Sequence, residues 1–575
     1  MRLEFTGAVA SRGLAIGRAR VREPHALDLG EQSIAADAVD SEIDRLHRAL
    51  ESTRAELGRM REQLQGALAQ ELGEFLDLHA LILDDPELIG GLDKLIRTAR
   101  YSAGYALKLQ RDRIAAVFDA MDDPYMRSRR EDLDHVIGRV YAALHRDGGG
   151  EIDAAHGLAG EVLVCDTVAP AELAQLVESG CVAVVAAQGS PLSHSAILAR
   201  SLHLPLVVGA HQALQHVNDG DTLLVDASSG RVVVEPGPAD LKDFARLRRG
   251  EQREQRALQR LRSAPSRTVD GVEINLHANA ESREDVAEAF RLGAAGVGLY
   301  RTEFLFLQRR ELPTEDEQFA AYRDLVLGMN GRPVTLRTLD LGADKADASG
   351  VSLAREPNPA LGLRGVRLSL ARPALFRTQM RAMLRASGYG FVRILVPMVT
   401  CREEMLQVRA LAVDCARDLR TEGFEIADHL DIGAMIEVPA AALALPTMID
   451  TMDFVSIGTN DLVQYLLAAD RGNDAVADIA SPLHPAVLRV LHDVIATGRR
   501  CGKPVAVCGE LAGDIRYTRV LLALGLTDFS MHPGTMLEVR NAVRGCEHAA
   551  LRKRSAALLR ARDRDAILAV LARLD

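Results

Sequence analysis

The sequence predicts a multidomain α/β protein: a small α/β domain interrupted by a helical bundle, then a barrel of eight βα units. Three observations carry that expectation. The 575 residues exceed what a single hydrophobic core serves, and the length suggests three or four domains. A block from about 33 to 146 keeps apolar residues three and four apart, with Pro and Gly sparse and strand-like runs on both sides of it. From about 268 onward, short apolar runs alternate with helical patterns about eight times.

Taken in order, residues 1–25 alternate apolar and small residues with Gly punctuation, as strands do. The stretch SEIDRLHRALESTRAELGRMREQLQGALAQELGEFLDLHALIL then carries the amphipathic period of packed helices, and RDGGGE at 146–151 ends the block. Strand-like runs return in EVLVCD, CVAVVAAQ, LPLVVG and DTLLVDASSGRVVVEP, with AELAQLVESG as a helix between them. Strands of one character on both sides make the helical block an insertion. Residues 240–262 read as one long polar helix, suited to a semi-rigid linker. Beyond it the strand candidates are VEINLHAN, GVGLYRTEF, VTLRTLD, VRILVPMV, IGAMIEVP, FVSIGTND, VAVCGE and FSMHPG, in the rhythm of a C-terminal TIM (β/α)8 barrel.

Composition excludes several classes of function. Hydrophobic content of 48% and charged content of 26% are ordinary globular values, and with no Trp the core rests on Leu, Val, Ile and Ala. A net charge of −11 argues against a nucleic-acid partner, and Arg246, Arg248 and Arg249 stand among acidic neighbours as a solvated helix face would. The seven cysteines, at 165, 181, 401, 415, 501, 508 and 546, have no metal-ligand spacing and fit no complete disulfide framework. There is no apolar run long enough for a membrane span and no signal-peptide pattern at the start, so a reduced, cytoplasmic protein is expected.

Polar residues fall where the barrel strands end: Asn279, Arg301 with Glu303, Arg337 with Asp340, Glu437, Asn460 with Asp461, and Cys508 with Glu510. In this fold those ends converge on one mouth, where active sites lie. Arg301, Arg337 and Arg471 supply cations whose forks suit carboxylate and phosphate. Glu437 and Asp461 are hard oxygen donors suited to Mg²⁺. Together they call for a small ligand with several negative charges, such as a phosphorylated carboxylic acid. Cys508, beside this charge, is either a small buried apolar residue or a proton donor or acceptor to carbon.

A second centre is read in GSPLSHSAILARSLHLPLVVG, residues 189–209. His194 stands where a loop becomes a helix N-terminus, a place that favours an anion. Ser193 and Ser195 are expected to add hydroxyl donors. A neutral imidazole there is either a cap or surface residue or a nucleophile towards phosphorus.

The motifs GSPLSHSAILAR, GLYRTEFLF, RTLDLGADK, NPALGLRGVRL, IEVPAA, SIGTNDLVQYLLAADRGN and CGELAG occur in this order. Over essentially its whole length the chain resembles enzyme I of the bacterial phosphoenolpyruvate:sugar phosphotransferase system. That resemblance implies phosphorylation of His194 at Nε2. It also implies phosphoenolpyruvate binding by Arg301, Arg337, Asn460, Asp461 and Arg471, with Lys345 and Arg364 lining the pocket. Mg²⁺ would be held by Glu437 and Asp461, and Cys508 would protonate enolpyruvate. The implied partners are the carrier protein HPr or an HPr-like domain and a second copy of the chain. The expected domains are a swivelling phosphohistidine α/β domain from 1–28 and 149–236, a helical HPr-docking insertion at 29–148, a linker helix at 237–264, and a barrel for substrate and dimerisation at 265–575. Dikinases with the same motifs need an ATP-grasp domain, and the first 150 residues carry no Gly-rich phosphate loop. Ser195 stands where Thr is common, and VAPAEL at 168–173 replaces a more polar segment.

Overall fold

The computed structural model describes residues 2–22, 32–63, 76, 79–119, 124–145, 158–191, 193–306, 311–342, 356–470, 476 and 479–573. It divides into two compact units, Met1–Arg253 and Glu254–Asp575, and the boundary falls within one long polar helix, Pro238–Gln259.

The first unit is built on an eight-stranded mixed sheet. Its strands are β1 (Leu3–Thr6), β2 (Ala8–Ser11), β3 (Leu14–Val21), β4 (Glu161–Cys165), β5 (Ala183–Ala186), β6 (Leu206–Val208), β7 (Thr222–Asp226) and β8 (Arg231–Val234). They lie in the order β1-β8-β7-β3-β4-β5-β6-β2, with β3, β4, β5 and β6 successively parallel. Side chains alternate between faces along each strand. Val162 and Val164 of β4 therefore join one core, and Leu163 and Cys165 the other. A strand buried on both faces must be apolar throughout, which is why EVLVC and AVVA read as continuous runs.

Between β3 and β4 stand the helices Val39–Gln63, Pro86–Ala99, Ala103–Asp119 and Pro124–His145. Their core includes Leu46, Leu50, Leu88, Leu92, Ile96, Leu107, Val136, Ile137 and Val140, at the three- and four-residue steps that line one helix face. Local signals set the ends. The Asp85 carboxylate accepts from the Glu87 N–H, Pro86 occupies the first turn, and Arg100 ends the helix in the left-handed conformation at φ 57°.

The second unit is a closed parallel barrel. Its strands are β9 (Asn275–Ala280), β10 (Val297–Tyr300), β11 (Val334–Arg337), β12 (Val392–Val396), β13 (Asp431–Ile436), β14 (Val455–Ile457), β15 (Val505–Val507) and β16 (Asp528–Met531). Each pairs with the next, and β16 pairs with β9 to close the ring. Each of the eight strand candidates of the sequence covers one of these strands to within a residue at either end. The terminal helices His548–Arg560 and Arg564–Leu571 add Leu551, Leu558 and Ile567 to the barrel core. Among the described residues, no helix is long and apolar enough to cross a membrane.

Candidate active site

The C-terminal ends of the barrel strands bring together charges that are far apart in sequence. Arg337 ends β11, and its guanidinium lies 3.2 Å from Glu303 and 3.3 Å from Asp340. Arg364 donates from Nε and Nη2 to the two oxygens of Asp340, at 3.0 and 2.8 Å. It also reaches the Tyr465 hydroxyl at 3.2 Å and Asp461 at 3.4 Å. Burial alone would push both guanidinium groups down. The carboxylates around them outweigh it and hold both above their ordinary value. The Nε of Arg337 is buried and has no hydrogen-bond partner among the described residues. A buried donor left open at a strand end is an invitation to an anionic oxygen.

Opposite stand three carboxylates. Glu437 follows β13, is buried, and accepts the Met398 N–H at 2.6 Å. One oxygen each of Asp340, Glu437 and Asp461 lies within 4.8 Å of the others. Burial first, and then repulsion from Asp340 and Asp461, pushes the Glu437 carboxyl up to about 8. Crowded carboxylates of this kind are relieved by a hard divalent cation, and the oxygen-only donor set fits Mg²⁺. Asp340 was read as a polar strand end and not as a ligand. Its place beside Glu437 makes it a third candidate.

Two features hold this geometry. Gly509 lets the loop after β15 approach the helix after β14: a Cβ there would fall 1.8 Å from Thr459 Oγ1. Behind Arg337, Gln379 accepts the Leu339 N–H and donates to Thr302 Oγ1, which donates to the Arg337 carbonyl. Gln379 escaped the sequence reading because it lies within a helix, where nothing marks it out.

Asn460 and Asp461 were expected at a strand end. They lie instead in the first turn of the Thr459–Leu467 helix, because β14 stops at Ile457. Asn460 forms a reciprocal pair with Glu510, donating to its carboxylate and accepting its N–H, both at 3.0 Å. Arg301 follows β10 and is paired with Glu281. Cys508 follows β15, buried among Leu299, Leu395, Met435 and Phe454. Burial pushes its thiol up to about 11, so it is protonated at neutral pH. Lys345 and Arg471 lie outside the described residues. His532 caps its own turn by accepting the Gly534 N–H.

In the first unit, His194 is the first residue of the His194–Ser201 helix. Ser193 is the N-cap, its hydroxyl oxygen accepting the Ala196 N–H. Ser195 donates its hydroxyl to the Val168 carbonyl at 2.7 Å, so its proton is spent on the loop before the Pro170–Glu178 helix. The expectation that both serines offer donors to an anion is corrected to this extent.

Comparison with known proteins agrees along the chain. Residues 6–129 match the family described as PEP-utilising enzyme, N-terminal. Residues 157–230 match its mobile domain, and residues 255–548 its PEP-binding domain. The chain is 44% identical over 549 residues to a phosphoenolpyruvate-protein phosphotransferase of Cupriavidus necator, covering 93% of both chains. It is 39% identical over 536 residues to the phosphoenolpyruvate-protein phosphotransferase of Geobacillus stearothermophilus, covering 93% of this chain and 92% of the other. A solution structure of an Enzyme I protein (nEIt) is 28% identical, covers 43% of this chain and 99% of its own, and has a TM-score of 0.35. The barrel of arginines and carboxylates, the histidine at a helix start, the family models and the two sequence relatives lead to one conclusion: the chain belongs to the phosphoenolpyruvate-protein phosphotransferase family of PEP-utilising enzymes.

Proposed function

We propose that the chain transfers the phosphoryl group of phosphoenolpyruvate to His194 and from there to a histidine of the carrier HPr, releasing pyruvate. The observation that carries this reading is the set of opposed charges at the barrel mouth. Arg337 and Arg364 face three crowded carboxylates, beside a thiol that burial keeps protonated.

Phosphoryl transfer asks for position and charge neutralisation more than for covalent help. Arg301, Arg337 and Arg471 would bind the phosphate and carboxylate of the substrate, with Lys345, Arg364, Asn460 and Asp461 around it. Mg²⁺ held by Glu437 and Asp461, with Asp340 beside them, would neutralise charge on the transferring oxygens. His194 Nε2 forms the bond to phosphorus as the bond to the enol oxygen breaks. The enolate carbon then takes a proton from Cys508, and the thiolate is reprotonated from water. Protonation at carbon traps the enolate as pyruvate and so draws the transfer forward.

His194 must reach the barrel mouth and later the carrier, so the reading requires motion, for which the Pro238–Gln259 helix is the proposed hinge region. The inserted helices are the proposed docking surface for HPr. Homodimerisation through the barrel is supported by exposed apolar side chains on its helices, Leu406, Val413 and Leu443. A cytoplasmic location fits the free cysteines.

The test is incubation with phosphoenolpyruvate labelled on phosphorus, with Mg²⁺ and without ATP. An acid-labile label on the protein, lost in His194→Ala and passed on to HPr, is expected. A label of equal size in the variant overturns the reading.

A further inference from the structure

We propose that His79, Asp132 and His135 form a binding site for a divalent transition-metal ion of the zinc class inside the helical bundle. His79 lies in the helical segment 79–83. Asp132 and His135 are three residues apart on the Pro124–His145 helix, a spacing that puts both on one face. One ligand atom from each lies within 4.8 Å of the other two. Side-chain adjustment of a few tenths of an ångström to about an ångström would bring all three to a shared ion, with bonds of about 2.0–2.2 Å.

The second observation is the state of His135. Both of its ring nitrogens are buried, and neither has a hydrogen-bond partner among the described residues. A buried imidazole in that condition has given up hydration with nothing in return. A metal ion on one nitrogen supplies what is missing. Asp132 Oδ1 lies 3.8 Å from His79 Nε2, a separation close to that of two ligands on one ion.

The donor set decides the class of ion. Two imidazoles and one carboxylate favour Zn²⁺ or its neighbours over Mg²⁺ or Ca²⁺, which prefer oxygen alone. The barrel carboxylates are the opposite case, so the two centres separate by chemistry. Burial holds both imidazoles towards the neutral form, which is the form that ligates. In the third comparable cluster, His429, Asp431 and Asp453, the imidazole is exposed to water and Asp453 is held by Arg409. Bound between segment 79–83 and the Pro124–His145 helix, the ion would be a structural brace, with water completing its coordination.

The experiment uses the full chain, stripped with a chelator and then titrated with Zn²⁺ in excess Mg²⁺. No phosphoenolpyruvate is present, so its outcome is independent of the phosphoryl-transfer reading. One tightly bound equivalent is expected, with X-ray absorption showing two imidazole ligands. Because loss of an outer-shell partner alone costs about 10- to 100-fold, His135→Ala should weaken binding by about 100-fold or more. His79→Gln, which keeps the bulk of the side chain, should do the same, with circular dichroism reporting an intact bundle. Asp461→Ala should leave the equivalent in place. Absence of a tight equivalent in the parent chain, or its survival in both histidine variants, overturns the proposal.

Discussion

Cys508 keeps its proton because of where it stands. Its neighbours are Leu299, Leu395, Met435 and Phe454, and ionisation there would place a charge among hydrocarbon. An unfolded thiol ionises near 9 and this one near 11. The unfolded chain therefore releases its proton first, and the contribution of this group to stability falls as pH rises from about 9 to about 11. Urea midpoints taken across that range should decline, and less steeply in Cys508→Ala. The same shift should keep pyruvate release free of a thiol-limited fall between pH 7 and 9, which a pH–rate profile checks. Removing the thiol should slow pyruvate formation by about 10²- to 10⁴-fold, with affinity for phosphoenolpyruvate largely retained; unchanged turnover would exclude it as the donor. In the sequence Cys508 was either a small apolar residue or a proton donor, and the structure shows the two descriptions to be compatible. Arg337 and Glu437 were legible because a charge that interrupts an apolar run at its end has few structural uses. Asp340 was less so, since nothing in its own segment announces the two carboxylates that converge on it, Glu437 after β13 and Asp461 in the helix after β14.

At the level of elements, the strands were easier to read than the loops after them. A parallel strand is buried on both faces and must be apolar, whereas the exact residue where it stops depends on neighbours elsewhere in the chain. That is why Asn460 and Asp461 were assigned to a strand end although β14 stops at Ile457 and a helix begins at Thr459. The close approach of Gly509 to this helix is equally invisible in one dimension. Gly509→Ala would drive a methyl into Thr459 Oγ1 and towards Asn460 Oδ1. The expected result is a loss of about 1–3 kcal/mol in barrel stability and a KM for phosphoenolpyruvate raised about tenfold, read by denaturant unfolding and initial rates. In the first unit the helix start at His194 was legible, but Ser193, expected as a hydroxyl donor to an anion, is the N-cap and accepts the Ala196 N–H. Ser193→Ala should cost about 1 kcal/mol, seen as increased hydrogen exchange at the start of the His194–Ser201 helix.

Across the whole molecule, the long-range ties were the least legible. Arg540 is buried, and its guanidinium donates to the carbonyls of Leu261, Arg262, Leu292 and Gly293 and to the Ser266 hydroxyl. It fastens the segment entering the barrel to the end of the Arg283–Arg291 helix, across more than 240 residues of sequence. Nothing near Arg540 in the sequence hints at those partners, since carbonyls carry no residue identity. Arg540→Met should cost about 3 kcal/mol or more, because four carbonyls lose a shared donor, and urea unfolding of the barrel would register it. The first unit carries a tie of similar reach. β1 pairs with β8, and Glu4 meets Arg231 at a separation of 227 residues. During synthesis the first strand therefore waits for the last. At roughly 5–20 residues per second, β1 stays without its partner for roughly ten to forty-five seconds. The inserted helices, whose contacts are mostly local, leave the ribosome well before that. The chain is thus born with an unpaired β edge next to a module already able to fold, and early chaperone engagement should concentrate on the opening strands.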